Sequence, residues 1–276
     1  MDSQKKILLI NDISCIGRCS LTVLQPFLTC AGFESVILPT SLLSNHTAYP
    51  SFSFLDLTDE MDIILEKWKS LNVKFDAIIS GYLGSEKQIN IVKKAKELFL
   101  KEDGLFIVDP VMADNGHLYK GFNNDFPNKM KELVSIADII TPNITEASLL
   151  TNIDYKINFS EEEVNIIKNK LIEIGAKNII ITGITSKNKI GISYGNEDNT
   201  SFYYHKMIKG PIHGTGDVYL GAFTGAYLNN KTFEEANLIA AKYTYKSILL
   251  SRKICSDKNG GLPFEVNMKQ YLNKIK

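Results

Sequence analysis

Apolar positions in this chain follow two alternating patterns: short β-branched runs, and longer stretches in which apolar residues return every three or four positions. The first suits strands buried on both faces, the second amphipathic helices. Lys6 to Ile10, Ser35 to Leu38, Asp76 to Ser80, Leu105 to Asp109, Ile136 to Thr141 and Asn178 to Thr182 read as strands. Asp59 to Leu71, Glu86 to Lys101, Glu161 to Ile174, Asp217 to Leu228 and Phe233 to Ser251 read as helices. Ser160-Glu161-Glu162-Glu163 has the form of a capping box, in which a Ser oxygen accepts from the N3 amide while the N3 Glu reaches back. Repeated units of this kind predict an α/β fold with a mainly parallel sheet.

Lys189 to Tyr194 and Ser201 to His205 flank Gly195-Asn196-Glu197-Asp198-Asn199, a cluster of turn formers, and so predict an antiparallel hairpin at a sheet edge. Ser41 to Thr58 shows no clear periodicity, and a loop of that length in a compact domain is usually functional, here a flap. No repeat, low-complexity tract or Pro/Ser-rich linker divides the chain, which predicts one large domain over residues 1–276.

Composition narrows the function. With 31 Lys and Arg against 31 Asp and Glu the formal net charge is +0, which lacks the footprint of a nucleic-acid or anionic-membrane binder. Any polyanion must therefore be met by a local site. The apolar runs are too short for a membrane helix, and Ile7 to Ile10 is too short for a signal-peptide core, so the expected location is the cytoplasm. The four cysteines, Cys15, Cys19, Cys30 and Cys255, form no CxxC pair and have no His at metal-ligand spacing, which favours reduced, partly buried thiols over zinc or disulfides.

The sharpest local signal is His213-Gly214-Thr215-Gly216-Asp217, which opens a helix. Two glycines let successive N–H groups turn inward, and a helix N-terminus adds partial positive charge, so an anion such as phosphate is the expected guest. A Rossmann loop fails on spacing, because Gly216 is followed by Gly221, and no Walker A string occurs. Asp217 has an ordinary explanation as a first-turn carboxylate. A carboxylate beside an anion nest is electrostatically odd, however, unless it accepts a proton from a hydroxyl that attacks phosphorus.

Two further carboxylates fall at strand mouths, where ligands collect in open α/β sheets. Asp109 ends Phe106-Ile107-Val108-Asp109-Pro110-Val111, and Glu146 follows Ile140-Thr141-Pro142-Asn143-Ile144-Thr145 into a helix. One or two carboxylates with waters and substrate phosphates are what Mg²⁺ requires. The loops Ser44-Asn45-His46-Thr47 and Ser80-Gly81-Tyr82-Leu83-Gly84-Ser85 suit a planar polar heteroaromatic ligand, although turn chemistry alone also accounts for them.

Taken in chain order, Ser44 to Thr47, Ser80 to Ser85, Asp109-Pro110-Val111-Met112, Thr141 to Glu146 and Gly214 to Asp217 resemble the pyridoxal kinase family of the ribokinase-like superfamily. The resemblance implies a central mostly parallel sheet flanked by helices on both faces, a homodimer, and transfer of the γ-phosphoryl group of ATP to the 5′-hydroxymethyl group of pyridoxal, pyridoxine or pyridoxamine. It implies Asp217 as base with Gly214, Thr215 and Gly216 as anion hole. Asp109, Thr141, Asn143, Glu146, Thr182 and Lys209 would face the nucleotide, with Asp109 and Glu146 on Mg²⁺. Asp12, His46, Thr47, Tyr82 and Asp217 would face the vitamer. A monovalent cation such as K⁺ belongs to the same expectation.

The chain departs from that pattern in places. Asp12-Ile13 stands where the family usually has Ser-His, and Thr182-Gly183 where a lysine often follows the strand. The segment His205 to Pro211 carries Lys206 and Lys209 where the family covers ATP. Ser41 to Thr58, Asp114 to Asn124 and His205 to Pro211 are the expected closing segments. Two alternatives stand. His213 to Gly216 match the H-G-T-G-C string of hydroxymethylpyrimidine kinases of thiamine synthesis, except that Asp217 replaces the cysteine, and a non-catalytic ligand-binding member of the fold is the other.

Overall fold

The computed structural model describes residues 4–210, 213–255, 257 and 259–276. In chain order the elements begin β1 (Lys6–Ser14), α1 (Leu21–Cys30), β2 (Glu34–Leu43), β3 (Phe54–Asp56), α2 (Thr58–Lys69), β4 (Phe75–Ser80), α3 (Glu86–Phe99) and β5 (Leu100–Val108). They continue through β6 (Ala113–Asp114), β7 (His117–Leu118), α4 (Phe126–Val134), β8 (Ile139–Ile140), α5 (Ile144–Thr151), α6 (Glu161–Ile174) and β9 (Asn178–Ser186). The last are β10 (Lys189–Gly195), β11 (Thr200–Lys206), α7 (Thr215–Tyr227), α8 (Phe233–Ile254) and α9 (Met268–Ile275). They fall into two compact units, Met1–Leu57 with Ile208–Lys276, and Thr58–Met207.

In the first unit β1 pairs parallel with β2, from Lys6 opposite Glu34 to Ser14 opposite Leu43, and β3 pairs antiparallel with β2. Ile7, Leu8, Leu9 and Ile10 are fully buried, as an unbroken apolar run in a parallel strand requires. Helix α7 is buried from Val218 to Ala226, so it is an internal helix without a polar face. Phe27 of α1 packs against Tyr243, Phe264 and Tyr271, with ring centroids 4.8–5.8 Å apart, and the Tyr271 hydroxyl donates to the Ala222 carbonyl at 2.9 Å.

In the second unit the strand order is β11-β10-β9-β8-β5-β4. β4, β5, β8 and β9 run parallel, while β10 and β11 close the edge as an antiparallel hairpin, as its turn residues predict. Helices α5 and α6 both start with complete capping boxes, the second at Ser160 and Glu163. No helix among the described residues is long and apolar enough to cross a membrane.

Several boundaries differ from the sequence reading. β1 continues past Ile10 to Ser14, which carries Asp12 into the strand. The expected loop Ser41 to Thr58 is shorter: Ser41–Leu43 completes β2, Phe54–Asp56 is β3, and Thr58 starts α2. Of Ile136 to Thr141 only Ile139–Ile140 pairs as a strand, because the Ser135, Ile136 and Ala137 amides close the end of α4. α3 stops at Phe99, since Leu100 turns extended at φ −72°, ψ 138° and starts β5. Helix α1 escapes the periodicity because Pro26 interrupts it, and α4 and α9 are short amphipathic helices without a capping box. In the expected closing segment His205 to Pro211, Pro211 lies outside the described residues.

Candidate functional site

Each unit brings two carboxyls together, Asp12 with Asp217 in the first and Asp109 with Glu146 in the second. In the first, α7 begins at Thr215, preceded by Gly214 in the left-handed conformation at φ 74°, ψ 15°. Thr215, Gly216 and Asp217 are therefore its first three residues, whose N–H groups have no partner within the helix. The nest expected from the two glycines sits at the positive end of an internal helix, which suits a phosphate.

Asp217 keeps a solvent-accessible edge, yet the protein around it is dense enough to push its carboxyl up to about 6, and the charge of Asp12 adds to that. The Ser20 amide and its own amide act against the shift. Asp12, 7% exposed, is raised by burial and opposed by hydrogen bonds from the hydroxyls of Ser20 and Ser14. Cys19 lies in the same cluster. Burial, then the charge of Asp217, pushes its thiol up to about 12, which makes it a neutral group and a poor nucleophile at neutral pH.

His46 comes to His213, with ring centroids 5.1 Å apart. Burial, then the neighbouring imidazole, lowers His46 to about 4, so it is neutral at pH 7. The Ala48 N–H donates to His46 Nδ1 at 3.2 Å, which leaves the ring hydrogen on Nε2 as a donor. Thr47 and Lys209 are exposed, and the Lys209 carbonyl accepts from Arg252 at 2.9 Å.

In the second unit Asp109 follows β5 and is 8% exposed, and Glu146, 3% exposed, is the third residue of α5. Glu146 Oε2 accepts from the Asn143 N–H at 2.8 Å, while Oε1 accepts from Met112 at 3.1 Å and Ala113 at 3.5 Å. Burial, and then the charge of Asp109, holds Glu146 well above the ordinary carboxylate range despite those donors. Asn143 bridges to Thr182, whose N–H donates to the Pro142 carbonyl at 2.9 Å, and among the described residues the buried Thr141 hydroxyl has no partner. Tyr82 lies 5.8 Å from Phe122, which stacks on Phe126 at 4.1 Å.

The donor set fits a divalent cation held largely through waters. Glu146, raised by burial and by the charge of the buried Asp109, would be relieved by a cation, and its Oε2, which accepts a single amide, retains a lone pair. Among the described residues no group of three or more His, Cys, Asp or Glu side chains is disposed to hold a metal, so waters and phosphates would complete the shell. Sequence reasoning gave no site role to Arg18, Cys19, Ser20 or Phe122, and named His213 only as part of its motif. Their roles come from loop conformation and ring contacts, which leave no periodic trace.

Residues 58–261 match the family model described as phosphomethylpyrimidine kinase. A candidate phosphomethylpyrimidine kinase of Bacteroides thetaiotaomicron, crystallised with pyridoxal, is 36% identical with a TM-score of 0.91, over 98% of this chain and 96% of its own. The pyridoxal kinase of Lactobacillus plantarum is 27% identical with a TM-score of 0.90, over 98% of both chains. The pyridoxal kinase of Dictyostelium discoideum is 28% identical over 251 residues, 83% of this chain and 80% of its own.

Proposed function

We propose that this protein, which belongs to the phosphomethylpyrimidine kinase family within the ribokinase-like superfamily, is a pyridoxal kinase. It transfers the γ-phosphoryl group of ATP to the 5′-hydroxymethyl group of pyridoxal, pyridoxine or pyridoxamine. The observation that carries this reading is Asp217: a carboxyl in the first turn of the internal helix α7, pushed up to about 6, where it is ionised at neutral pH yet basic enough to take a hydroxyl proton. As that proton moves to Asp217, the alcohol oxygen bonds to phosphorus and the bond to the ADP oxygen breaks. The N–H groups of Thr215 and Gly216 would meet the charge that spreads over the transferring oxygens.

Asp109 and Glu146 would hold Mg²⁺ through waters, and the ion would supply charge neutralisation at the nucleotide phosphates. Thr141, Asn143, Thr182 and Lys209 would meet the nucleotide. Asp12, Thr47, Tyr82 and the Nε2 donor of His46 would read the pyridine substituents. Residues 1–276 are read as one kinase domain, since no linker-like tract divides the sequence. A homodimer, dependence on K⁺ and a cytoplasmic location, where ATP is available, complete the proposal.

A second reading, hydroxymethylpyrimidine kinase, draws on the family's description and on His213 to Gly216. Shape separates two rings of similar size by only about 1–3 kcal/mol, so cross-reactivity is expected. The test is kcat/KM measured side by side for the three vitamers and hydroxymethylpyrimidine. A pyrimidine value above all three vitamers overturns the pyridoxal kinase assignment.

A further inference from the structure

Ser20 precedes α1 and is of a type that ordinarily caps a helix through its side-chain oxygen. It makes no such cap. Its backbone lies at φ 52°, ψ −130°, a region in which an L side chain is strained and which persists only where the surroundings over-determine it. In that conformation the Ser20 N–H faces the Asp217 carboxyl and the Ser20 hydroxyl faces that of Asp12, in a loop whose Arg18 carbonyl packs against Gly214 at the start of α7. One residue thus meets both carboxyls of the cluster.

The surroundings that impose this conformation converge on Arg18. Its N–H donates to the Gly260 carbonyl at 3.1 Å, and it bridges to Gly261. Its guanidinium donates to Glu265 Oε1 at 2.6 and 3.0 Å, to Oε2 at 3.2 Å, and to the Gly260 carbonyl at 3.3 Å. Its own carbonyl occupies space that only glycines leave: a Cβ on Gly214 would lie 2.3 Å from it, and one on Gly261 2.5 Å. The loop is therefore clamped between the start of α7 and the chain around Gly260. An ion pair whose side chains are 37% and 49% exposed contributes little to folding, so its use lies in orientation.

We propose that Ser20 is a positioning residue for the base Asp217, and that the Arg18–Glu265 pair is the strut that keeps its N–H aimed at the carboxyl. The proposal rests on the reading of Asp217 as base. The titratable groups facing Asp217 are Asp12 from β1 and Cys19 from the same loop; among the described residues no group on α1, α8 or α9, the helices packed against α7, acts on its carboxyl. Loss of an aligned N–H donor disfavours the ionised form, and the base must be ionised to accept a proton. Loosening the strut therefore moves the acid limb of the rate to higher pH.

The experiment is a set of single-turnover rate–pH profiles on the full chain, with ATP and saturating pyridoxine, for Arg18→Met, Arg18→Lys, Glu265→Ala, Ser20→Gly and Asp217→Asn, with thermal melts alongside. Arg18→Met and Glu265→Ala are expected to move the acid limb up by about 0.5–1 pH unit, with the KM for ATP unchanged and Arg18→Lys recovering part of the shift. Ser20→Gly keeps the N–H and adopts its φ without strain, so its limb stays in place while its melting temperature rises. Profiles of Arg18→Met and Glu265→Ala that superimpose on wild type overturn the proposal, even if melting temperatures fall, because that pattern marks a purely structural clamp. Glu265→Ala, changed at the surface, decides the matter alone if Arg18→Met does not fold. If Asp217→Asn retains a rate within a few-fold of wild type, the reading of Asp217 as base has failed, and the strut with it.

Discussion

Asn143 and Glu146 hold each other at the start of α5: the Asn143 N–H donates to Glu146 Oε2 at 2.8 Å, and the Glu146 N–H donates to Asn143 Oδ1 at 3.0 Å. The other Glu146 oxygen accepts from Met112, three residues beyond Asp109. A single carboxylate therefore caps a helix and braces the turn that carries its partner carboxylate. Capping and metal binding are both served, since Oε2, with its single amide donor, can still take a water-bound cation.

These two duties separate by substitution. Glu146→Gln keeps one accepting oxygen and drops the charge, whereas Glu146→Ala leaves three backbone donors unpaired. Glu146→Ala is expected to cost about 2–4 kcal/mol of stability in denaturant melts, and Glu146→Gln less. Both are expected to raise the Mg²⁺ concentration for half-maximal rate by about tenfold or more, with pyridine affinity unchanged. A Glu146→Gln enzyme with the wild-type Mg²⁺ titration would leave Glu146 as a cap and brace alone.

Asp217 yields a pair of opposed effects. Its folded pKa of about 6 lies above the ordinary 3.8, so the folded chain retains this proton between those values and loses stability as pH rises through them. Asp217→Asn removes that loss. It is expected to be more stable than wild type by about 1–3 kcal/mol at pH 8, with no gain at pH 3.5. The same variant is expected to lower kcat by about 10²–10⁴-fold with nucleotide binding nearly intact. Wild-type kcat should fall as pH drops below about 6, because the base is then protonated. A kcat within a few-fold of wild type in Asp217→Asn would return the residue to a helix-terminal role.

How much of this was legible in the sequence depended on whether a feature is periodic. The strands at Ile7 to Ile10 and Ala77 to Ile79 show as unbroken apolar runs because both faces are covered, and the helix from Glu161 to Ile174 has the predicted bounds because its cap is spelled by Ser160 and Glu163. Asp12 was named as a site residue, but its place inside β1 was not, since Asn11 and Asp12 break the apolar run while the ladder continues to Ser14. Helix α1 is not marked by periodicity, and Ser20 before it has no place in any sequence pattern. Its strained backbone depends on the Arg18 carbonyl lying against Gly214, a contact between segments nearly two hundred positions apart that no local pattern encodes.

Tyr82 was expected to offer a ring face to a pyridine, and its ring lies 5.8 Å from Phe122, inside the segment Asp114 to Asn124 expected to close over substrate. An aromatic wall and a closing segment that touch should act together. Tyr82→Ala is expected to raise the KM for pyridoxine by about tenfold with little change for ATP, and Phe122→Ala to do the same to a smaller degree. Hydrogen exchange of residues 114–124, compared with and without pyridoxine plus a non-hydrolysable ATP analogue, checks the coupling: protection on binding is expected in wild type and should be reduced in Tyr82→Ala. Equal exchange under all conditions would remove this segment from the closure.

Gly214 and Gly216 give the last and sharpest contrast. Gly214 is required by the fold itself: its φ of 74° is strained for an L side chain, and a Cβ there would lie 2.3 Å from the Arg18 carbonyl. Gly216 has no such requirement, since its φ is not in the left-handed region and a Cβ added there meets nothing within 4 Å. A glycine that the protein's own packing does not need, in the first turn of a helix whose N–H groups point outward, is explained by a ligand that must approach the backbone closely. Gly214→Ala is therefore expected to unfold at lower temperature and to lose activity as a consequence. Gly216→Ala is expected to melt with wild type, or slightly above it because alanine favours helix, yet to lose about 10-fold or more in kcat/KM for ATP. Full activity in a well-folded Gly216→Ala enzyme would mean that the transferring phosphate does not sit on this helix terminus.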